Sequence, residues 1–433
     1  MNIGPVANSP MNPAPSRKIA VPSLGTPRFV SPIAASVGPE HFVPSVIQWA
    51  GEVPPPDLLL FEKAGPRREL FFPPDRTRAA IVTCGGLCPG LNNVIRSITR
   101  ELRFAYGVRS VLGVRGGYQG LDPHHPRPPL ELTEEIVSDI HQKGGTLLGT
   151  SRGPVDIARA VQYLMDRQVD ILFTVGGDGT QRGGKALFEE AARRGHPLAV
   201  VGIPKTIDND VPHVSRSFGF GTAVDEAVRV IESAHTEASC VENGVSLVKV
   251  MGRHAGFIAA AATVANQDVN LCLIPEQPFS VSGLLSWLEK RLALKRHAVI
   301  VAAEGAGQDL LGATGERDVS GNLKLGEIGL FLRDAILSHA KARGIPLAMR
   351  YFDPGYQIRG CPANTDDSVL CDRFARHAVH AAMSGRTGMV ISFLHGQFVH
   401  VPMELITAGV KRVDLEGELW HAVLSSTGQP AFF

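Results

Sequence analysis

Net charge is almost absent from this chain. Over 433 residues, 43 Lys and Arg are set against 42 Asp and Glu, which leaves +1. That balance creates no long-range field for nucleic acid or an anionic membrane surface, and neither is expected as a partner. Cysteine is sparse. Cys84, Cys88, Cys240, Cys272, Cys361 and Cys371 are too few for a disulfide framework at this length. Cys84 and Cys88 share a glycine turn, but no nearby His or Cys completes a zinc set. Reduced thiols and a cytoplasmic location are therefore expected. No apolar run approaches the roughly 18 residues of a membrane span. The stretch 255–265 is Ala-rich and reads as a packed helix. No basic region followed by a continuous apolar one opens the chain, so no secretory leader is expected. No repeat of short fixed period is present.

Glycine is plentiful, with 46 residues, many in turns after apolar runs. The length suggests two or three domains. The most informative stretch runs from 169 to 210. An apolar run (169–175) leads into Gly176-Gly177-Asp178-Gly179-Thr180 and on to Gly183. A helix is predicted over 185–194. A second apolar run (198–203) leads into Pro204-Lys205-Thr206-Ile207-Asp208-Asn209-Asp210. Strand, glycine loop, helix, strand and acidic loop make one βαβ unit with both loops at one sheet edge. Asp178 and the Asp208/Asp210 pair then face one crevice. Glycine lets phosphate approach main-chain N–H groups, one carboxylate can hold Mg²⁺, and another can take a hydroxyl proton.

Residues 1–56 hold twelve of the 31 prolines. They read as an arm without its own core, in part disordered, some of it lying on the body or a neighbouring subunit. A targeting peptide fits less well, because the arm is not rich in Ser or Arg. A buried strand (79–83), a glycine turn (84–90) and a helix (91–104) follow, a weak phosphate signal on its own. Another strand (108–114) ends at 116–120, where Tyr118 either covers a base or packs on the loop. A short strand and glycine loop over 144–153 carry Arg152, whose fork suits phosphate oxygens. A long helix is predicted up to 237 and a strand over 245–250, ending at Met251-Gly252-Arg253-His254. There Gly252 allows close approach, and His254 reads as a supporting rather than catalytic group. Strands follow over 269–274 and 297–303, the second ending at Glu304, a candidate acceptor for sugar hydroxyls. Residues 310–324 read as a mobile excursion and 328–343 as a helix. Arg350 and Tyr356-Gln357-Ile358-Arg359 fall on one extended stretch broken by Pro-Gly and suit a sugar phosphate. A helix (367–383) and two closing strands (388–393, 398–401) complete the pattern.

Taken together, these motifs resemble the phosphofructokinase family. Cys84-Gly85-Gly86, the 176–180 and 204–210 motifs, Met251-Gly252-Arg253, Glu304-Gly305 and Tyr356 to Arg359 match in order and spacing over roughly 60–433. Residues 64–67, 81–92 and the terminal Ser-Thr-Gly-Gln-Pro are similar to the ATP-dependent branch of plants, protists and some bacteria. The resemblance implies an α/β fold: two Rossmann-like three-layer domains with mostly parallel sheets and the active site in the cleft between them. The expected limits are an arm over 1–60, a nucleotide-binding domain over 61–219 plus 358–433, and a sugar-phosphate domain over 220–357. It implies phosphorylation of fructose 6-phosphate at its 1-hydroxyl by Mg-ATP, giving fructose 1,6-bisphosphate in glycolysis. Asp208 is then the general base and Asp178 the Mg²⁺ ligand. Gly86, Arg152, Gly153, Gly177, Asp178, Gly179 and Thr180 would bind the nucleotide. Thr206, Ile207, Asp208, Met251, Gly252, Arg253 and Glu304 would hold the sugar. Tyr356, Gln357, Ile358 and Arg359, with Arg350, would take the 6-phosphate end. Some phosphate ligands would come from a neighbouring subunit, so a homodimer or homotetramer is implied.

Two departures bear on this resemblance. Lys205 is typical of pyrophosphate-using relatives, where common bacterial enzymes carry glycine. Gly179 is glycine where pyrophosphate users carry aspartate, and a carboxylate there would crowd the α-phosphate of ATP. The steric and charge argument favours ATP, with a pyrophosphate-dependent enzyme as the alternative. Gly244 stands where bacterial relatives have an arginine that crosses the subunit interface, so their effector logic does not transfer. Kinases of NAD or lipids share Gly-Gly-Asp-Gly but lack the other motifs. A non-catalytic nucleotide-binding homologue would have no chemical need for Asp208.

Overall fold

The apolar runs become strands of two largely parallel sheets. The structure, a computed structural model, describes residues 17–51, 53–312, 315–316 and 324–431. Along the chain come β1 (Arg78–Thr83), α1 (Leu91–Arg100), β2 (Ser110–Val114), β3 (Leu130–Glu131), α2 (Ile157–Asp166), β4 (Ile171–Gly176), α3 (Asp178–Arg193) and β5 (Ala199–Pro204). Next are α4 (Phe220–Ser239), β6 (Gly244–Val250), α5 (Phe257–Asn266), β7 (Leu271–Leu273), α6 (Val281–Lys295), β8 (His297–Ala303), α7 (Ile328–Arg343) and β9 (Ala348–Phe352). The short α8 (Gly355–Gly360) and long α9 (Thr365–Met383) lead to β10 (Met389–Leu394), β11 (Gln397–Pro402) and α10 (Glu418–Thr427).

The first sheet has seven strands in the order β11-β10-β5-β4-β1-β2-β3, parallel except at its two edges. The second has four parallel strands in the order β7-β8-β6-β9. Every residue of β4 and β5 is buried, as expected where helices cover both faces of a parallel sheet. One apolar cluster joins α1, α9 and the first sheet to α4, α5 and the second, so the two halves share a core. Thr83 pairs with Val175, and Gly176 with Pro204. The ends of β1, β4 and β5 are therefore level, and their loops open at one edge. Val250 pairs with Ala303, which sets the loops after β6 and β8 side by side. Among the described residues, no helix is long and apolar enough to cross a membrane.

Several expectations need correction. Helix α3 starts at Asp178, not near 185, so Gly183 is helical. A Cβ on Gly183 would lie 2.6 Å from the Tyr118 ring, so this glycine serves close packing rather than a loop. Residues 144–153 form no strand. Gly145, Gly149 and Gly153 have φ of 76°, 68° and 110°, which breaks an extended run. Side chain and main chain instead bind this segment to the end of β1, through Thr83 Oγ1 to Gly149 O (2.7 Å) and Gly85 N to Ser151 O (3.1 Å). Residues 350–359 are not one extended stretch but split between β9 and α8.

The arm is laid on the body from residue 17 onward. Arg17–Lys18 and Phe42–Pro44 both pair with Leu59–Glu62, and Phe29–Val30 pairs with Glu69–Leu70. Val43 and Phe61 enter the core of the first sheet. Residues 1–16, and 313–314 and 317–323 of the excursion, lie outside the described residues. The C-terminal helix α10 departs from the expected domain limits, because it packs on α5 beside the second sheet. The Gln429 side chain secures it there, accepting from Cys272 N at 2.7 Å and donating to Cys272 O at 3.1 Å.

Candidate active site

The loop after β5 is folded by its own polar side chains. Thr206 Oγ1 accepts from Asp208 N (3.1 Å) and donates to Asp210 Oδ1 (2.9 Å). Asn209 takes the left-handed conformation (φ 54°), and its Oδ1 accepts from Ser217 N at 3.0 Å. Asp208 is left to face the crevice. Its carboxylate lies towards the Arg253 main-chain N–H, yet Oδ1 is sealed from solvent without a partner. Burial pushes its pKa up to about 8, the Asp210 and Glu304 carboxylates push the same way, and the Arg253 N–H and Lys205 oppose them. A carboxyl tuned into this range can accept a proton near neutral pH.

Features suited to phosphate gather at the ends of β1 and β4. Lys205 donates from Nζ to Gly86 O at 2.7 Å. A Cβ on Gly86 would lie 3.2 Å from Arg152 Nη2 and 3.5 Å from Arg359 Nη1. Three cations from separate segments thus meet around one glycine. Gly177 caps α3, and Asp178, in the first turn, is paired with Arg182. A Cβ on Gly179 would meet nothing closer than Arg182 Nη2 at 3.9 Å, so the space above this residue is open. Thr180 is buried, and its carbonyl accepts from Tyr118 Oη at 2.7 Å. Tyr118 therefore supports the glycine motif from below instead of covering a base.

Opposite lie the loops of the second sheet. Gly252 has φ 127°, and its carbonyl accepts from Gly305 N at 3.0 Å. Arg253 Nε is buried without a partner. Burial raises the pKa of Glu304, while the cations of Lys249, Arg253 and Arg359 resist it. Arg253 and Glu304 line a cavity of about 220 Å³ together with Lys249, Lys324 and Glu327. Met251 Sδ would stand 3.0 Å from a Cβ on Gly355, so α8 packs directly on the Met251 loop.

Not every predicted residue joins this cluster. Ile358 is fully buried, and its N–H and carbonyl are bound to Pro354 O and Cys361 Sγ, so its side chain anchors α8. Ile207 is buried beneath its loop. Tyr356 is 86% exposed, with the Arg359 guanidinium 5.1 Å from its ring centroid, and Gln357 is exposed too. Arg350 turns away from the cluster to pair with Glu237 at 3.5 Å. Burial, with the Arg253 cation beside it, lowers the pKa of His254, and no hydrogen bond ties it to Asp208. A Cβ on Gly244 would overlap Ala238 O, which explains why no larger residue stands there.

Three groups were missed in the sequence. Lys249 is held between Glu327 (2.8 Å) and Asp353 (2.9 Å) beside the cavity. Its place two residues before Met251 was a usable signal, since an inward-facing charge on a buried strand needs partners. Lys411 and Glu276, which contact the loops on either side of the crevice, have no motif around them.

Comparison with known proteins agrees with this geometry. The phosphofructokinase family model matches residues 78–382. An ATP-dependent 6-phosphofructokinase of Borreliella burgdorferi is 48% identical over 382 residues, covering 86% of this chain and 86% of that protein. ATP-dependent 6-phosphofructokinase 7 of Arabidopsis thaliana is 47% identical over 378 residues, covering 86% of this chain and 77% of that protein. In fold, the chain is similar to a crystal structure of a pyrophosphate-dependent phosphofructokinase from Nitrosospira multiformis, with a TM-score of 0.68 at 19% identity, covering 82% of this chain and 92% of that one. With the family model spanning most of its length and such relatives matching nearly end to end, the chain belongs to the phosphofructokinase family.

Proposed function

We infer that this protein is an ATP-dependent 6-phosphofructokinase, transferring the γ-phosphoryl group of ATP to the 1-hydroxyl of fructose 6-phosphate. Fructose 1,6-bisphosphate and ADP are the products. The observation that carries the residue assignment is Asp208: a carboxylate with one sealed, unpaired oxygen and a pKa raised to about 8, at the meeting point of the two sets of loops. It takes the hydroxyl proton as the oxygen attacks phosphorus. Lys205, Arg152 and the N-terminus of α3 receive the nucleotide phosphates. Thr206, Arg253 and Glu304 hold the sugar, and Arg359 reaches its phosphate. The open space at Gly179 supports ATP as donor, because it leaves room for the α-phosphate.

Among the described residues, no group of three or more His, Cys, Asp or Glu side chains is assembled to hold a metal. That suits Mg²⁺, which needs only one or two carboxylates when it arrives with phosphates. Asp178, in the first turn of α3 where the phosphates would lie, fits this donor set. When bound, the ion neutralises charge on the phosphates. Two features support an oligomer: Tyr356 is largely exposed in the single chain, and Arg350 lies on the open edge of β9. Six free thiols support a reducing, cytoplasmic setting.

The test is Asp208→Ala. Turnover of fructose 6-phosphate should fall by about 10²–10⁴ while sugar affinity changes little. An unchanged rate would remove Asp208 from the base role.

A further inference from the structure

The segment between β11 and α10 crosses from one substrate loop to the other. Lys411 N donates to Asp210 O at 2.7 Å, and Lys411 Nζ donates to Val214 O at 2.6 Å and to Ser215 O at 3.3 Å. The ammonium also stands 5.0 Å from the ring centroid of Phe257, the first residue of α5. Two residues on, Val413 N donates to Glu276 Oε1 at 2.8 Å. Both oxygens of that carboxylate accept from Gly256 N at 3.1 Å, just before α5. Val413 itself is buried. Three consecutive residues therefore reach from the loop that carries Asp208 to the end of the loop that carries Arg253. These two loops come together where the Asp208 carboxylate lies near the main chain of Arg253.

We infer that Lys411 is a positioning residue for phosphoryl transfer, forming with Glu276 a strap that sets the Asp208 loop against the Arg253 loop. This rests on the reaction assigned above. Lys411 hydrogen-bonds main-chain carbonyls of the base's own loop, and its tie to the opposite side runs through main-chain N–H groups and one carboxylate. Such links fix backbone positions. Transfer needs the base, the hydroxyl and the phosphorus in register, and a misplacement of about 1 Å can cost 10²-fold. Lys411 neither gives nor takes the reacting proton; its part is to hold Asp208 where the hydroxyl arrives.

The experiment is steady-state kinetics on Lys411→Met, which keeps the stem against Phe257 and removes the ammonium. The expected result is a kcat lower by about 10- to 100-fold, with both KM values within about threefold of wild type. Lys411→Arg, which keeps a cation and its donors, should recover most of the rate. Glu276→Gln should lower kcat in the same sense but less. A kcat for Lys411→Met within about twofold of wild type would overturn the inference, as would a rise in KM at constant kcat. If Lys411→Met does not fold, Glu276→Gln decides: an unchanged kcat overturns the strap, and a lowered kcat at constant KM supports it. Wild-type turnover in the same assay separates the two claims, since its absence would count against the assigned reaction and not against the strap.

Discussion

The ammonium of Lys205 bonds the carbonyl of Gly86 across 2.7 Å, joining the loop after β5 to the loop after β1. The strand order places β4 between those two, so the bridge passes beside the Gly177 turn. Lys205 is 7% exposed, and burial lowers its pKa. Its carbonyl partner therefore matters. Replacing Lys205 with Met should remove a charge-assisted hydrogen bond of about 1.5–3 kcal/mol. If the bond serves the nucleotide site, kcat/KM for ATP should fall by about 10- to 150-fold, with a smaller change in KM for the sugar phosphate. Steady-state kinetics with each substrate varied in turn would check this. Loss confined to the sugar would place Lys205 on the wrong side of the crevice.

Asp208, the proposed base, works against stability. Its pKa in the folded chain, about 8, lies above the unfolded value near 4. Between these values the folded chain holds a proton that the unfolded chain has lost, so this group's contribution to stability falls as pH rises through that window. Asparagine imitates the protonated side chain. Asp208→Asn should therefore raise the thermal midpoint at pH 8 and leave it nearly unchanged near pH 4, while turnover is lost. Calorimetry of the ligand-free proteins at both pH values would test this. A lower midpoint at pH 8 would contradict the assigned pKa.

Acid should weaken the fold through a separate group. His377 stacks on Phe398 with ring centroids 4.4 Å apart, and burial pushes its pKa down to about 3. His380 is pushed down to about 4 by burial and nearby cations, and Tyr106 Oη meets its Nδ1 at 2.8 Å. Both are neutral when folded but take protons near pH 6.5 when unfolded. Stability should be lost as pH falls from about 6.5, with a slope of roughly 1.4 kcal/mol per pH unit for each extra proton bound on unfolding. His377→Phe should reduce that slope by about one proton. Equal slopes in urea unfolding at pH 5 and 6 would show that His377 is not part of it.

The sheets were legible because β1, β4, β5, β6 and β8 are almost wholly buried and read as mostly apolar runs. The motifs at their ends located Asp208, Gly86 and Glu304. Local composition misled at two places. Gly183 looks like loop, yet it sits inside α3, where Tyr118 leaves no room for a side chain and so requires glycine. Residues 144–153 look like a strand, but positive φ at three glycines turns them across β1 instead. Lys411 was invisible for another reason. Its partners, Val214, Ser215 and Asp210, lie about two hundred residues away, and it binds their carbonyls, which every residue carries. No spacing rule marks such a contact.

The central claim is most directly tested by the choice of phosphoryl donor. Gly179 has open space above it, and on the proposed binding of ATP an aspartate there would crowd the α-phosphate. Fructose 6-phosphate should be phosphorylated with Mg-ATP by the wild-type protein and not measurably with pyrophosphate, and Gly179→Asp should lose ATP turnover without losing its fold. Turnover of the wild type with pyrophosphate in place of ATP would contradict the account.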